Sequence, residues 1–218
     1  MQLMFKNIKA VGFDLDNTLY PTSKKIDERI SRIIAEKVLY KKPELKTIEK
    51  AMDFYQKRRM EIGSGKQVLM ELGYDNAPEL MDECISKADF TDLLRKNKTV
   101  IQILKEIKKK YSTFLITGAP KGLAISRLEK LGIKSSLFNY LIFSDTSNEI
   151  KKTDGSVFKY YLSISKYSSN EHVYIGDNLM SDILPAKSTG MKAILVGKNN
   201  ELADYCIKDF TQLEKLLL

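Results

Sequence analysis

Hydrophobic positions along the 218-residue chain follow two rhythms. Ile26, Ile30, Ile33, Ile34 and Val38 recur at helical spacing and predict an amphipathic helix over 24–41. Leu45, Ile48, Met52, Tyr55 and Met60 predict a second over 44–60. Further helical patterns cover 65–72 and 77–88, so the stretch from Thr22 to Arg95 predicts helices and no strand. Beyond it, short apolar runs alternate with helical patterns. Helices are expected at 99–110, 122–131, 156–166 and 182–188, and strands at 113–117, 140–143, 172–175 and 193–196. The apolar run 8–13 is a first strand. Strands alternating with helices of this length imply right-handed crossovers and a mainly parallel sheet. The expected fold is therefore α/β, with helices on both faces of a parallel sheet. Residues 1–20 and 96–218 form its core, and 21–95 form an inserted α-helical domain.

The chemistry gathers where strands end. The first strand runs into Asp14-Leu15-Asp16-Asn17-Thr18-Leu19, two carboxylates two residues apart. An uncompensated buried carboxylate costs several kcal/mol or takes up a proton, so something cationic is expected beside this pair. Ligands of open parallel sheets bind outside the carboxyl ends of the strands. The other strand exits carry Thr117-Gly118, Ser144-Asp145, and Gly176-Asp177-Asn178 followed by Asp182. Groups far apart in sequence thus converge on one edge.

Composition narrows the class. A hydrophobic content of 43% suffices for a packed core. The apolar runs are far shorter than the roughly 20 residues of a spanning helix, so no membrane segment is expected. Neither is a secretory leader, and Cys84 and Cys206 make no disulfide framework, so the reading is cytoplasmic. The net charge of +8 raises the question of nucleic acid. Residues 21–95 hold 15 Lys and Arg against 14 Asp and Glu, and residues 96–218 hold 19 against 12. That surplus is scattered, and its longest run, Lys108-Lys109-Lys110, ends a helical pattern where cations complement the helix dipole. A solvated basic surface fits better than a nucleic-acid face, with a general pull on anionic substrates. Nothing in the sequence marks an oligomeric state.

With these residues in place the chain resembles the haloacid dehalogenase-like hydrolase superfamily over nearly its full length. The first motif stands as Asp14-Leu15-Asp16-Asn17-Thr18-Leu19, and the second as Thr117 after an apolar strand. The third is Lys152 in Lys152-Thr153-Asp154-Gly155-Ser156-Val157-Phe158. The fourth is Ile175-Gly176-Asp177-Asn178-Leu179-Met180-Ser181-Asp182-Ile183, reaching Gly190-Met191. The resemblance implies a Rossmann-like core and a helical cap of the group's first class. It also implies a magnesium-dependent phosphomonoester hydrolase working through an aspartyl-phosphate. Asp14 would be the nucleophile. Asp16 would be the acid and base, a residue that dehalogenases of the group lack because a halide needs no proton. Thr117, Gly118 and Lys152 would hold phosphate, while Asp14, the backbone carbonyl of Asp16, and Asp177 would hold Mg2+. Asp182 would support the metal or orient Lys152. Two departures from the family pattern stand out: Gly118 occupies a place where asparagine is common, and Thr153 one where proline is usual.

Plainer readings stand beside these. Thr117 could be an ordinary strand-end hydroxyl, Lys151 could compete with Lys152, and Asp182 could simply favour a helix start. Pro185 fits an early helical position, where no amide donor is needed. His172, the only histidine, reads as a surface residue rather than a catalyst. Asp14-x-Asp16-x-Thr18 fails as a calcium loop, because Leu19 and Lys25 occupy the positions for glycine and bidentate glutamate. Gly63-Ser64-Gly65-Lys66 lacks the first glycine of a phosphate-binding loop and has Gln67 where Ser or Thr should follow. It reads as a turn in the inserted domain or a substrate-facing loop there. The substrate expected is a small phosphorylated metabolite: a sugar phosphate, nucleoside monophosphate or phosphoglycolate. The alternatives are a phosphotransferase or phosphomutase of the same superfamily, or a non-enzymatic binding protein.

Overall fold

The structure, a computed structural model, describes residues 5–147 and 149–218, apart from the side chain of Asp82. The chain divides into two compact units, one comprising Met1–Pro21 and Leu94–Leu218, the other Thr22–Leu93.

Among the described residues the first unit is built on six strands: β1 (Ala10–Phe13), β2 (Ser112–Ile116), β3 (Tyr140–Ile142), β4 (His172–Gly176), β5 (Lys192–Val196) and β6 (Tyr205–Ile207). They pair in the order β3-β2-β1-β4-β5-β6, and every pair is parallel. This is a Rossmann-like α/β sheet. The chain builds outward from β1 on one side through β2 and β3, then returns to its other side for β4. The strand order therefore reverses at β1, the kind of switch point outside whose carboxyl strand ends ligands of open parallel sheets bind. Every residue of β1 and β4 is buried, as expected of strands covered on both faces.

Helices α5 (Lys98–Lys110), α6 (Lys121–Leu131), α7 (Ser156–Ile164), α8 (Leu184–Ser188) and α9 (Leu213–Leu217) accompany the strands. Asn97 starts α5 by accepting the Thr99 and Val100 amides. Its buried stripe, Val100, Ile103, Leu104 and Ile107, has the spacing of a single helix face. On one face of the sheet Phe114 stacks on Tyr161 of α7, with ring centroids 3.8 Å apart. The Phe114 ring also lies where a side chain on Gly12 would stand, so only glycine permits that packing at the centre of β1.

The second unit contains α1 (Lys24–Lys41), α2 (Ile48–Ile62), α3 (Gly65–Glu71) and α4 (Ala77–Lys87). Ser23, Thr47 and Ser64 cap the first three by accepting amides of the opening turn. Ile34, Val38, Tyr55, Val68, Leu69 and Leu80 are among its core residues. Gly63 ends α2 in the left-handed conformation (φ 80°), Ser64 caps α3, and Gly65 lies where a Cβ would overlap the Tyr55 hydroxyl. The Gly63–Lys66 motif is thus a tight helix-to-helix junction.

Three expectations are corrected. His172 is fully buried at the start of β4, with Nε2 2.9 Å from the Ser165 hydroxyl and Nδ1 2.8 Å from the Ser168 carbonyl. Both ring nitrogens find partners in the core, which the surface reading missed. Residues 179–183 form a π-helical turn ahead of α8 rather than the start of one regular helix. The final strand and helix, β6 and α9, had no counterpart in the sequence pattern, being only 3 and 5 residues long. Pro185 does sit in the first turn of α8. Among the described residues no helix is long and apolar enough to cross a membrane.

Candidate active site

The site begins where β1 stops. The Asp14 amide donates to the Ile175 carbonyl at 2.8 Å, so the β1–β4 ladder extends to the first acid and fixes its backbone. The chain then turns sharply. Asn17 adopts a left-handed conformation (φ 62°), and the Leu19 amide returns to the Leu15 carbonyl at 3.0 Å. This turn brings the buried Thr18 hydroxyl back to Asp14 Oδ2 at 3.3 Å.

Lys152 takes the other oxygen, with Nζ 2.6 Å from Asp14 Oδ1, and it also pairs with Asp182 Oδ1. Its loop is held locally: Ser156 Oγ accepts the Lys151 amide at 2.7 Å, and Asp154 Oδ1 accepts the Ser156 amide at 2.8 Å. Gly155 (φ 78°) makes the turn into α7. Lys152, 12% exposed, therefore points inward to the acids, while Lys151 is exposed.

Asp182 reaches the cluster from the π-helical turn. Asn178 opens that turn by accepting the Met180 and Ser181 amides, and Asp182 Oδ2 accepts the Asn178 amide at 3.0 Å. The Asp182 side chain packs directly against the Cα of Gly176. It is buried inside the site and is not merely a helix-start residue.

Asp14, Asp177 and Asp182 each offer a carboxylate oxygen, all within 4.8 Å of one another. Burial raises the Asp14 pKa well above the ordinary value, Lys152 opposes the rise, and the neighbouring carboxylates add to it. Asp177 is pushed up to about 7, first by burial and then by Asp182. Burial would lower the pKa of Lys152, but Asp14 and Asp182 override it and hold the ammonium firmly charged. Three carboxylates facing one ammonium leave the cluster short of positive charge. Its donors are all oxygens, so it fits a hard divalent cation such as Mg2+.

Asp16 points elsewhere. Its Oδ2 accepts from Arg127 Nη1 at 2.7 Å and its Oδ1 from the Tyr20 hydroxyl. Tyr20 is pushed up by burial, then by Asp16, and stays a protonated donor. Neither partner was singled out from the sequence. Tyr20 directly follows the first motif, so its reach to Asp16 was within local range, but nothing in the sequence connects Arg127 with a residue 111 positions away.

Thr117 is buried at the end of β2, its Oγ accepting the Ala119 amide at 3.1 Å. Gly118 beside it is exposed, with open space where a side chain would project. Asp14, Lys152, Asp177 and Asp182 form one cluster, and Thr117 and Gly118 end a strand adjacent to β1. Gly63, Ser64, Gly65 and Lys66 belong to the helical unit.

Known proteins are similar to this chain in sequence and fold. Residues 11–196 match the family described as haloacid dehalogenase-like hydrolase. A glyceraldehyde 3-phosphate phosphatase of Methanocaldococcus jannaschii is 33% identical, over 94% of this chain and 92% of its own. A protein of the same name from Pyrococcus furiosus is 28% identical, over 97% and 94%. Among solved structures, a HAD phosphatase from Thermococcus onnurineus has a TM-score of 0.63 at 22% identity, covering 96% of this chain and 98% of that one. The acid-ended first strand, the lysine loop and the carboxylate cluster lie inside the matched region, and the chain belongs to the haloacid dehalogenase-like hydrolase family as an enzyme of its phosphatase kind.

Proposed function

We infer that this enzyme hydrolyses a small sugar phosphate, such as glyceraldehyde 3-phosphate, with Asp14 as nucleophile and a divalent cation, Mg2+, as cofactor. The observation that carries the reading is the Lys152 ammonium bound between Asp14 and Asp182 beside a third carboxylate, at the sheet edge where ligands bind. The sugar-phosphate class is supported by the relatives named glyceraldehyde 3-phosphate phosphatases.

The electrostatic problem is like-charge repulsion. At about 4 Å and an effective dielectric near 20, each pairing of a carboxylate charge with a phosphate charge costs about 4 kcal/mol. Asp14, Asp177 and the Asp16 backbone carbonyl would hold the cation, with Asp182 supporting. Once bound, it would neutralise the acids and the incoming phosphate.

The residues of the chain supply the rest. Lys152 and Thr18 fix the two Asp14 oxygens and orient the carboxylate for attack, and the cation would favour its ionised form against the effect of burial. An Asp14 oxygen forms a bond to phosphorus while the bond from phosphorus to the sugar oxygen breaks, and the Asp16 carboxyl gives its proton to that oxygen. Water then attacks the aspartyl-phosphate and loses its proton to Asp16. Phosphate leaves and both acids are restored. Thr117, the Gly118 amide and Lys152 hold the phosphate oxygens through both steps. In this reading the helical unit is the substrate-selecting cap, and Lys66 is its candidate anion contact.

The test is phosphate release from a panel of phosphomonoesters, with Mg2+ and with chelator, by the parent and Asp14→Asn. Mg2+-dependent release that is lost in the variant is expected. Release that persists in Asp14→Asn would overturn the nucleophile, and isomerised product without free phosphate would move the reading to a mutase.

A further inference from the structure

Arg127 is the largest fully buried side chain among the described residues, with a relative exposure of 0%. It sits on α6, whose other buried residues, Ala124, Leu128 and Leu131, are apolar. Taking a guanidinium out of water costs several kcal/mol, and a helix that only had to fill volume here would be served as well by Leu or Met. Arginine cannot escape that cost by losing its proton. One compensation is a charge-assisted bond of 2.7 Å to Asp16 Oδ2, in a carboxylate that is itself 16% exposed.

Tyr20 acts on the same carboxylate from a different element. It follows β1, is 5% exposed, and donates its hydroxyl to Oδ1. One carboxylate is therefore gripped at both oxygens, by a guanidinium from the helix after β2 and a phenol from the turn after β1. The grip removes the rotations that would otherwise leave a loop aspartate with several orientations. Each oxygen keeps a second lone pair for the proton it must pass.

We propose that Arg127 and Tyr20 are the positioning residues of Asp16, a two-point clamp that presents its carboxyl to the leaving-group oxygen in a single orientation. This rests on the reading of Asp16 as acid and base. Neither clamp residue belongs to the carboxylate cluster or to the phosphate contacts. Their loss therefore weakens proton delivery and spares substrate and cation binding.

Leaving groups separate this role from a purely structural one. An alkoxide must be protonated as it departs, whereas p-nitrophenolate departs unaided. Rapid-mixing kinetics with glycerol phosphate and p-nitrophenyl phosphate would compare the parent, Asp16→Asn, Arg127→Met, Arg127→Lys and Tyr20→Phe. General acid catalysis contributes about 10²–10⁴-fold. On that scale Arg127→Met is expected to lose about 10²-fold in kcat on the alkyl ester and Tyr20→Phe about 10-fold, with KM unchanged. The first-turnover burst of p-nitrophenolate should keep its rate, and Arg127→Lys should recover part of the loss. Tyr20→Phe deletes one hydroxyl and keeps the test valid if Arg127→Met fails to fold.

In the double variant Asp16→Asn/Tyr20→Phe, the second change should add nothing to the loss of proton delivery, because the clamp delivers that proton through Asp16. Equal losses of first-turnover rate on both esters, or losses that multiply in the double variant, would overturn the clamp. So would a leaving-group split in Asp16→Asn that the clamp variants lack, in which case the hydrolase reading stands. A folded parent that releases phosphate from neither ester would instead overturn the hydrolase reading, and the clamp with it.

Discussion

Adding one methyl group at Gly176 should disable the site while leaving the fold in place. Gly176 ends β4, and a Cβ built there would lie 2.5 Å from Cβ and Cγ of Asp182 and 2.6 Å from its Oδ2. Carbon atoms in contact prefer about 3.5–4.0 Å, so Asp182 or the strand end must shift by about 1 Å. Asp182 has nowhere easy to go. It is 1% exposed, its Oδ2 holds the Asn178 amide, and its Oδ1 holds Lys152. Overpacking of this kind costs ~1–3 kcal/mol, which in a protein of this size lowers Tm by about 2–12 °C. The effect on rate is larger, since misplacing a catalytic group by about 1 Å can cost about 10²-fold. Gly176→Ala would be assayed by thermal unfolding and by kcat for phosphate release. Gly122→Ala is the control. Gly122 lies in the first turn of α6 with open space for the same methyl, so its replacement should stabilise by about 0.5–1 kcal/mol and leave kcat alone. Full activity in Gly176→Ala would refute the argument that Asp182 holds Lys152 in place.

Three further outcomes follow from the geometry. Lys152→Met should abolish phosphate release, whereas Lys151→Met should leave kcat unchanged because Lys151 faces solvent; steady-state kinetics on both variants checks this. Gly118→Asn should fold with unchanged Tm, since nothing stands within 4 Å of the added Cβ, and a lowered KM for phosphate esters would show that the missing side-chain contact can be restored. Burial lowers the His172 pKa below its ordinary value of 6.5. On acidification through that value the unfolded chain takes up the proton first, so the folded state loses stability as pH falls. Denaturant titrations of parent and His172→Gln from pH 7.5 to pH 5 should therefore show a shallower acid-side decline in the variant, and identical slopes would refute the assignment.

Much of the fold was legible because burial imposes periodicity. Strands covered on both faces, such as Thr113-Phe114-Leu115-Ile116, must be continuously apolar, and α5 must show its stripe at three- and four-residue spacing. The short edge strand β6 gives too little pattern to read: two of its three residues are only half-buried, and Tyr205-Cys206-Ile207 is a run of just three. The π-helical turn at Leu179–Ile183 escaped for a different reason. Its geometry follows from Asn178 capping the turn and Asp182 folding back on the Asn178 amide, contacts that periodicity does not encode. His172 was misjudged because its neighbours on the sheet and the Ser165 and Ser168 partners in the preceding loop are known only once the chain has folded.

By itself, the sequence determined the identity and order of the charged groups at the strand exits. A carboxylate at the end of a buried strand needs a reason wherever it occurs, and Asp14, Asp16, Asp177 and Lys152 could be named on that ground and on family resemblance. Only the tertiary structure decided how those charges are apportioned. Lys152 is shared between Asp14 and Asp182, while Asp16 is turned away to Arg127 and Tyr20. The physical reason is that electrostatic partnership depends on distance and burial after folding. A guanidinium 111 residues from its carboxylate becomes its neighbour only because α6 packs its buried face toward the turn that follows β1.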